Sequence, residues 1–362
     1  MIHLPESRRW RVVLTVALFV VLAAGLFVRL GHDRVYPKSE ARCFGVVADM
    51  MRTGDWLVPH FGGQIRLQKP PLFYWAAATV ASVAGEHSLL TLRSVSAASA
   101  LGLALAVFAV GVSLNGFAAG FWSAAALGAS AIFFIRGRVG DAEMLLALLT
   151  FLSLAAFERL WFRGDRRMEP ALAIFVGLGF LTKATAALLS VLAPILVWLA
   201  VNRSLRLVLR ARTLLWSSVA ALIGLSWYWI ILVRLPEARE LFREFLLSPF
   251  GFRPAHVDET QHHDATHVEA IYYYLARFPL QLLPASVLLI PLGWEAWCQH
   301  LWRDEPRVRF YALAFVVQFV GWSLVPGKQL HYLLPLVPLF AVVAGHWLAK
   351  RTVEGRRVAP RQ

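Results

Sequence analysis

The chain has 362 residues, 58% of them hydrophobic and 16% charged, with a mean hydropathy of +0.59. Soluble domains carry about 45–50% apolar and about 25% charged residues, so this composition excludes a soluble globular protein and indicates a polytopic membrane protein. In such a chain a net charge of +14 belongs to cytoplasmic loops and anionic lipid surfaces, which argues against nucleic-acid binding.

Residues 12–28 form an apolar run preceded by Arg8, Arg9 and Arg11. More spans follow it, so it reads as an uncleaved first helix with a cytoplasmic N-terminus. A polar island from Tyr36 to Trp75 comes next, inside a first outer loop at 32–86. Its length is far more than a helix connection needs, which marks it as a site. The apolar run 72–84 is shorter than the roughly 20 residues of a spanning helix, so it is expected to lie in the outer interface.

Later runs fall at 92–112, 116–135, 143–162, 170–182, 185–201, 213–233, 270–297, 310–325 and 331–349. With the first helix they give about ten spans and an all-α fold with both termini inside. The cytoplasmic ends then hold Arg163, Arg166 and Arg167; Arg203, Arg206, Arg210 and Arg212; Arg303, Arg307 and Arg309; and Lys350, Arg351, Arg356 and Arg357. This follows the positive-inside rule, although the loop near Asn115 carries no such charge. Residues 1–362 read as one membrane-embedded domain with no C-terminal soluble domain. Cys43 and Cys298 fall near opposite faces of a core about 30 Å thick, too far apart for a disulfide.

This topology collects the chemical groups on the outer side. The first loop supplies Glu40, Arg42, Asp55 and Lys69, and the turn before the fourth run supplies Asp141 and Glu143. The loop 235–268 adds Arg253, His256, Asp258, Glu259, His262, His263, Asp264 and His267, and Lys328, His331 and Tyr332 complete the set. Carboxylates beside lysines and arginines suit a reaction with an anionic leaving group. The acid takes a proton from an acceptor hydroxyl or amine, and the cations hold a phosphate as its charge develops.

The residues that carry a family likeness are Glu40-Ala41-Arg42, Gly54-Asp55-Trp56, and Lys69-Pro70-Pro71-Leu72-Phe73-Tyr74-Trp75. They resemble the first periplasmic loop of the aminoarabinose transferases and protein O-mannosyltransferases of the GT-C superfamily. The likeness continues through Gly137-Arg138, Leu181-Thr182-Lys183, Trp227-Tyr228, Arg253 and the run from Lys328 to Pro338, and so covers nearly the whole chain. It implies membrane helices with interfacial helices in the first loop, in an inner (plasma) membrane with the site on the periplasmic side. It also implies transfer of a sugar from a polyprenyl (undecaprenyl) phosphate carrier to a lipid A-like lipid, a glycan or a protein. Lys69, with Arg253 and Lys328, would bind the carrier phosphate, and Arg42, Asp55, Tyr74, His331 and Tyr332 would line the rim. Such proteins commonly carry Asp-Glu where this chain has Ser39-Glu40, and an acid where it has Gln68. The usual second-loop Asp aligns with Glu143, two residues after Asp141. Glu40 is the first candidate for the catalytic base, with Glu143 and Asp141 as alternatives.

Plainer readings stand beside these. Glu40 with Arg42 could form only an exposed ion pair worth under about 1 kcal/mol. Asp141 and Glu143 suit capping of the helix that starts there. Lys69 suits a snorkelling role, and Lys183 a membrane boundary. The five histidines from His256 to His331 invite a divalent metal, but their segment shows no helical periodicity, and no cofactor or metal ligand is assigned. A transporter or flippase of a lipid-linked sugar, or a degenerate inactive relative, are the alternative functions. A transporter would place its polar site near the midplane on broken helices, with internal repeats.

Overall fold

The computed structural model describes residues 7–32, 38–235, 238–239, 269–298 and 305–358, and it is built almost wholly of helices. Helix α1 is Arg8–Phe27, followed by α2 at Ser39–Thr53 in the first loop. A two-stranded hairpin, β1 at His60–Phe61 and β2 at Gln64–Ile65, leads to α3 at Leu72–Ala84. Then come α4 (Leu89–Gly128), α5 (Ala131–Gly137), α6 (Glu143–Arg163), α7 (Met168–Ala187), α8 (Ala193–Val201) and α9 (Ala211–Arg234). The chain closes with α10 (Tyr273–Gln281), α11 (Leu289–Cys298), α12 (Pro306–Leu324) and α13 (Val337–Val358).

Two of these elements reverse direction. In α4 the helix breaks at Asn115 and Gly116, and Gly116 takes a φ of 72°, a left-handed turn that a glycine adopts without steric cost. The backbones of Gly111 and Gly120 then lie against each other, so the two arms run antiparallel. In α7 the break is Lys183, at φ −162° and ψ 86°. A Cβ placed on Gly179 would lie 3.5 Å from that of Ala187, whereas eight residues of unbroken helix would separate them by about 12 Å. The spans expected at 92–112 and 116–135, and at 170–182 and 185–201, are therefore the arms of two hairpins. The second arm of α4 stops short of 135 because Ala131 N–H donates to Leu283 O at 2.8 Å and Ala285 N–H to Ala129 O at 3.3 Å. That bridge diverts the chain into α5.

Among the described residues six stretches are long and apolar enough to cross a membrane, and α4 and the joined α7–α8 stretch are two of them. The chain is a multi-pass membrane protein. The 13-residue α3 is too short to be one of the six; it buries Phe73, Tyr74, Ala77 and Ala78 against Cys43, Val46, Val47 and Met50 of α2, as an interfacial element should.

The most extensive helix contact is α4 with α13, and small residues permit it. A Cβ on Gly345 would lie 2.1 Å from Ser123 Oγ and 2.3 Å from Ser123 N, so only hydrogen fits there, as at other close membrane-helix crossings. At the opposite end from α2, Arg163 and Arg307 both donate to Ser113 O, at 3.1 and 2.7 Å. Arg307 also pairs with the buried Glu158. The uncharged Asn115 turn is thus held by basic residues from other loops. Gly345→Leu should lower the melting temperature of the detergent-purified protein sharply, since overpacking alone costs about 1–3 kcal/mol and the neighbour here is backbone. Gly293→Ala, which meets nothing within 4 Å, is the control; equal melting temperatures for the two variants would refute the tight crossing.

Candidate active site

The polar groups meet where one end of the bundle abuts the first loop: the C-terminal end of α1, the starts of α2, α4 and α6, the Lys183 turn, and the stretch before α13. Glu40 lies in the first turn of α2 and is fully buried. Arg93, in the first turns of α4 and also buried, grips it with two bonds, Nε to Oε1 at 2.7 Å and Nη2 to Oε2 at 2.8 Å. The third arm of the guanidinium donates to Leu30 O at 2.8 Å, and Gly140 N–H donates to Glu40 Oε1 at 2.7 Å. Planar fork meets planar carboxylate, the geometry in which such a pair is strongest. The exposed pair with Arg42 is therefore replaced by a buried one. Arg42 sits two residues further along α2, a step of about 200° around the helix.

Asp141 and Glu143 are both buried. Asp141 Oδ1 accepts the Glu143 N–H at 3.1 Å, which caps α6. Its Oδ2 takes Arg136 Nη1 at 3.1 Å and the Ser39 hydroxyl at 3.5 Å. Burial pushes the Asp141 carboxyl above the ordinary carboxylate range; Arg136 opposes that rise and Glu143 adds to it. Glu143 Oε1 accepts from Lys183 Nζ at 2.7 Å and faces His331 Nε2 at 3.4 Å. Its other oxygen makes no hydrogen bond among the described residues and is not sealed from solvent by them. His331 Nδ1 lies 3.1 Å from Arg136 Nη2. A guanidinium only donates, so Nδ1 accepts and the ring proton sits on Nε2, toward Glu143. Asp141, Arg136, His331 and Glu143 thus close a ring of polar contacts. Lys183 stands at its edge, with its ammonium 4.4 Å from the centre of the Tyr332 ring.

Lys69, just before Pro70-Pro71, is different. It is partly buried and makes no hydrogen bond or ion pair among the described residues. Burial alone would lower its pKa, but Cys43, Glu143, Tyr74 and Asp141 around it hold it above the usual lysine value. The Cys43 thiol is itself pushed up to about 12 by burial, so near neutral pH the carboxylates supply that attraction. Lys328 is buried and donates only to Glu269 O, at 2.9 Å, with no carboxylate beside it among the described residues.

Several expected site residues have other tasks. Asp55 Oδ1 accepts the N–H groups of Leu57 and Val58 at 2.9 and 3.2 Å, so it shapes a turn. Tyr74 is packed inside the α2–α3 cluster. His331 and Tyr332 move from the rim into the ring itself. Arg253, His256, His262, His263 and His267 lie outside the described residues, among which no group of three or more His, Cys, Asp or Glu could hold a metal ion. Sequence reasoning passed over Arg93, Arg136 as a site member, and Lys183. The available signal was an ionisable residue within or beside an apolar run, which in a membrane protein points to function.

Comparison with known proteins bears on the sequence and the fold. The family model described as Dolichyl-phosphate-mannose-protein mannosyltransferase matches residues 68–229. The chain is 31% identical over 359 residues to the undecaprenyl phosphate-alpha-4-amino-4-deoxy-L-arabinose arabinosyl transferase of Pseudomonas paraeruginosa, covering 94% of this chain and 61% of that protein. It is also 27% identical over 316 residues to an uncharacterised protein of Aquifex aeolicus, covering 87% and 68%. The crystal structure of ArnT from Cupriavidus metallidurans bound to undecaprenyl phosphate superposes with a TM-score of 0.78 at 21% identity, over 95% of this chain and 63% of that one. The Archaeoglobus fulgidus oligosaccharyltransferase AglB, in complex with an inhibitory peptide and a dolichol-phosphate, gives 0.55 at 13% identity, over 98% and 52%. The fold is that of the ArnT structure. The sequence resembles the aminoarabinose transferases, and the chain spans about three-fifths of their length.

Removing one partner of a buried ion pair costs about 3–5 kcal/mol, because the other charge is left uncompensated. Glu40→Ala should therefore lower the melting temperature of the purified protein markedly, and the double variant Glu40→Ala/Arg93→Met should recover part of the loss. Unchanged stability in Glu40→Ala would show that the pair does not hold the first loop.

Proposed function

We propose that the protein is an integral-membrane glycosyltransferase that takes a sugar from a polyprenyl-phosphate carrier and passes it to a lipid, glycan or protein acceptor. The observation that supports this most is the balance of charge. Glu40, Asp141 and Glu143 are each matched by a cation, Arg93, Arg136 and Lys183. Among the described residues Lys69 has none, and Lys328 has only a carbonyl. The Glu143 and Asp141 carboxylates favour the Lys69 ammonium from a distance without closing an ion pair on it, so an incoming phosphate can bond to it directly.

The base in this reading is Glu143, not Glu40. Both Glu40 oxygens accept from Arg93, and both Asp141 oxygens are engaged, whereas Glu143 Oε2 has a lone pair to offer. Glu143 takes the acceptor proton, the acceptor atom attacks the anomeric carbon, and the C–O bond to the carrier breaks. The electron pair leaves on the phosphate, where the lysines stabilise it. Glu40 then positions Gly140 and the start of α6.

The transporter alternative gains little support, because the polar groups gather at helix ends on one side of the bundle and not midway along broken helices. By the positive-inside rule the arginine-rich end is cytoplasmic, so the site faces the periplasm across an inner membrane. Reporters fused at Glu86 and in the polar island should both report outside; a cytoplasmic signal at Glu86 would overturn this orientation.

Lys69→Ala should abolish undecaprenyl phosphate binding by the purified protein while leaving it folded. In a deletion strain, mass spectrometry of envelope lipids and proteins should show a missing sugar. Glu143→Gln should restore at most about a hundredth of that product, the scale of acid–base assistance. Full product from Glu143→Gln would exclude it as the base, and normal binding by Lys69→Ala would exclude the phosphate seat.

A further inference from the structure

Lys183 has a place that its pairing alone does not explain. It sits at the non-helical turn of the α7 hairpin, so its backbone is not tied into a continuous helix. Its ammonium holds Glu143 Oε1 at 2.7 Å and rests on the Tyr332 ring at 4.4 Å. Lys69, which makes no ion pair among the described residues, stands within electrostatic reach of both Lys183 and Glu143. Two ammonium groups are thus set near one carboxylate, and the nearer one covers part of the group that has to accept a proton. An anion entering beside Lys69 would offer Lys183 a second, more highly charged partner at little cost in position, since the aromatic ring can serve the cation at either station.

We propose that Lys183 is a counterion that exchanges between Glu143 and the carrier phosphate. With no donor bound it neutralises Glu143. When the phosphate docks on Lys69, Lys183 moves to the phosphate, and Glu143 is released as an uncovered base held only by His331. Donor binding and base activation become one event, so the acceptor is deprotonated only when a leaving group is in place. The inference deepens the transferase reading and rests on it.

The exchange makes Glu143 and the phosphate competitors for one ammonium, and a double-mutant cycle on binding detects that competition without knowledge of the sugar. The probe is undecaprenyl phosphate, titrated onto the whole 362-residue chain in phosphatidylcholine nanodiscs. Glu143→Gln should tighten binding by about tenfold by setting Lys183 free. In a Lys183→Gln background the same change should tighten binding by less than about twofold. If Glu143 merely repels the phosphate, the gain in the Lys183→Gln background will be as large or larger, and the exchange is refuted. Should Lys183→Gln fail to fold with Glu143 unpaired, the double variant Glu143→Gln/Lys183→Gln, which leaves no charge behind, is compared with Glu143→Gln alone. The exchange requires the double variant to bind at least about tenfold more weakly; equal binding refutes it. Absence of binding to the wild-type protein, or binding indifferent to Lys69→Ala, would instead count against the transferase reading itself.

Discussion

The fully buried pair of Glu40 and Arg93 is the interaction on which the site depends. Four chain segments converge on it: the C-terminal end of α1 through Leu30 O, α2 through Glu40, α4 through Arg93, and the turn before α6 through Gly140 N–H. A buried ion pair is seldom a net gain over apolar packing, because desolvation offsets the attraction. What it supplies is register. A hydrophobic contact tolerates a slip of one residue, whereas a fork on a carboxylate with a third bond to a carbonyl does not. The first loop is thereby fixed against the bundle, and the strand of chain that carries Lys69 arrives opposite Asp141 and Glu143.

The same economy appears around the ring. Each acid has a cation, each from a different element, so the site is preorganised but electrically balanced until Lys69 and Lys328 are counted. Both hairpin reversals serve this arrangement. The α4 turn, at the far end, brings α5 back so that Arg136 reaches Asp141. The α7 turn, at the near end, delivers Lys183 to Glu143. Breaks in membrane helices expose backbone groups that lipid cannot satisfy. Here they lie at the ends of the bundle, where polar side chains and water can.

Much of this was legible in the sequence. Apolar runs of sufficient length gave the helices, and shortness alone separated α3 from the spanning ones. The polar island and the second-loop acids marked the site, and the arginine clusters marked the opposite end. Partnership was not legible. Glu40 and Arg93 are 53 residues apart, and Arg93 reads locally as one charge at the start of an apolar helix. Arg42, two residues from Glu40, was the natural partner by proximity. Lys183 was hidden likewise: beside a span boundary, a lysine is expected to reach for headgroups, and only the fold-back of α7 turns it inward. His331 and Tyr332 follow a Pro-Gly turn, which suggests an exposed rim; the short 3₁₀ stretch Leu330–Leu336 instead folds them under the bundle.

The substitutions that suggested a degenerate protein have physical settings that weaken that reading. Ser39 stands where an acid is common, yet its hydroxyl lies 3.5 Å from Asp141 Oδ2, so the space beside it already holds a carboxylate. A second acid at 39 would place two like charges together in a buried region, where Asp141 is already paired with Arg136. Serine there donates to the acid that is present. Gln68 is exposed, while Leu67 and Pro70 on either side of the Lys69 turn are buried. An exposed side chain at 68 leaves the Lys69 ammonium as it is, whether acid or amide stands there. Loss of function by drift would first erode costly features, namely buried charges whose only return is chemistry. Glu143, Lys183 and Lys69, the last with no ion pair among the described residues, are such features, and this chain carries all three.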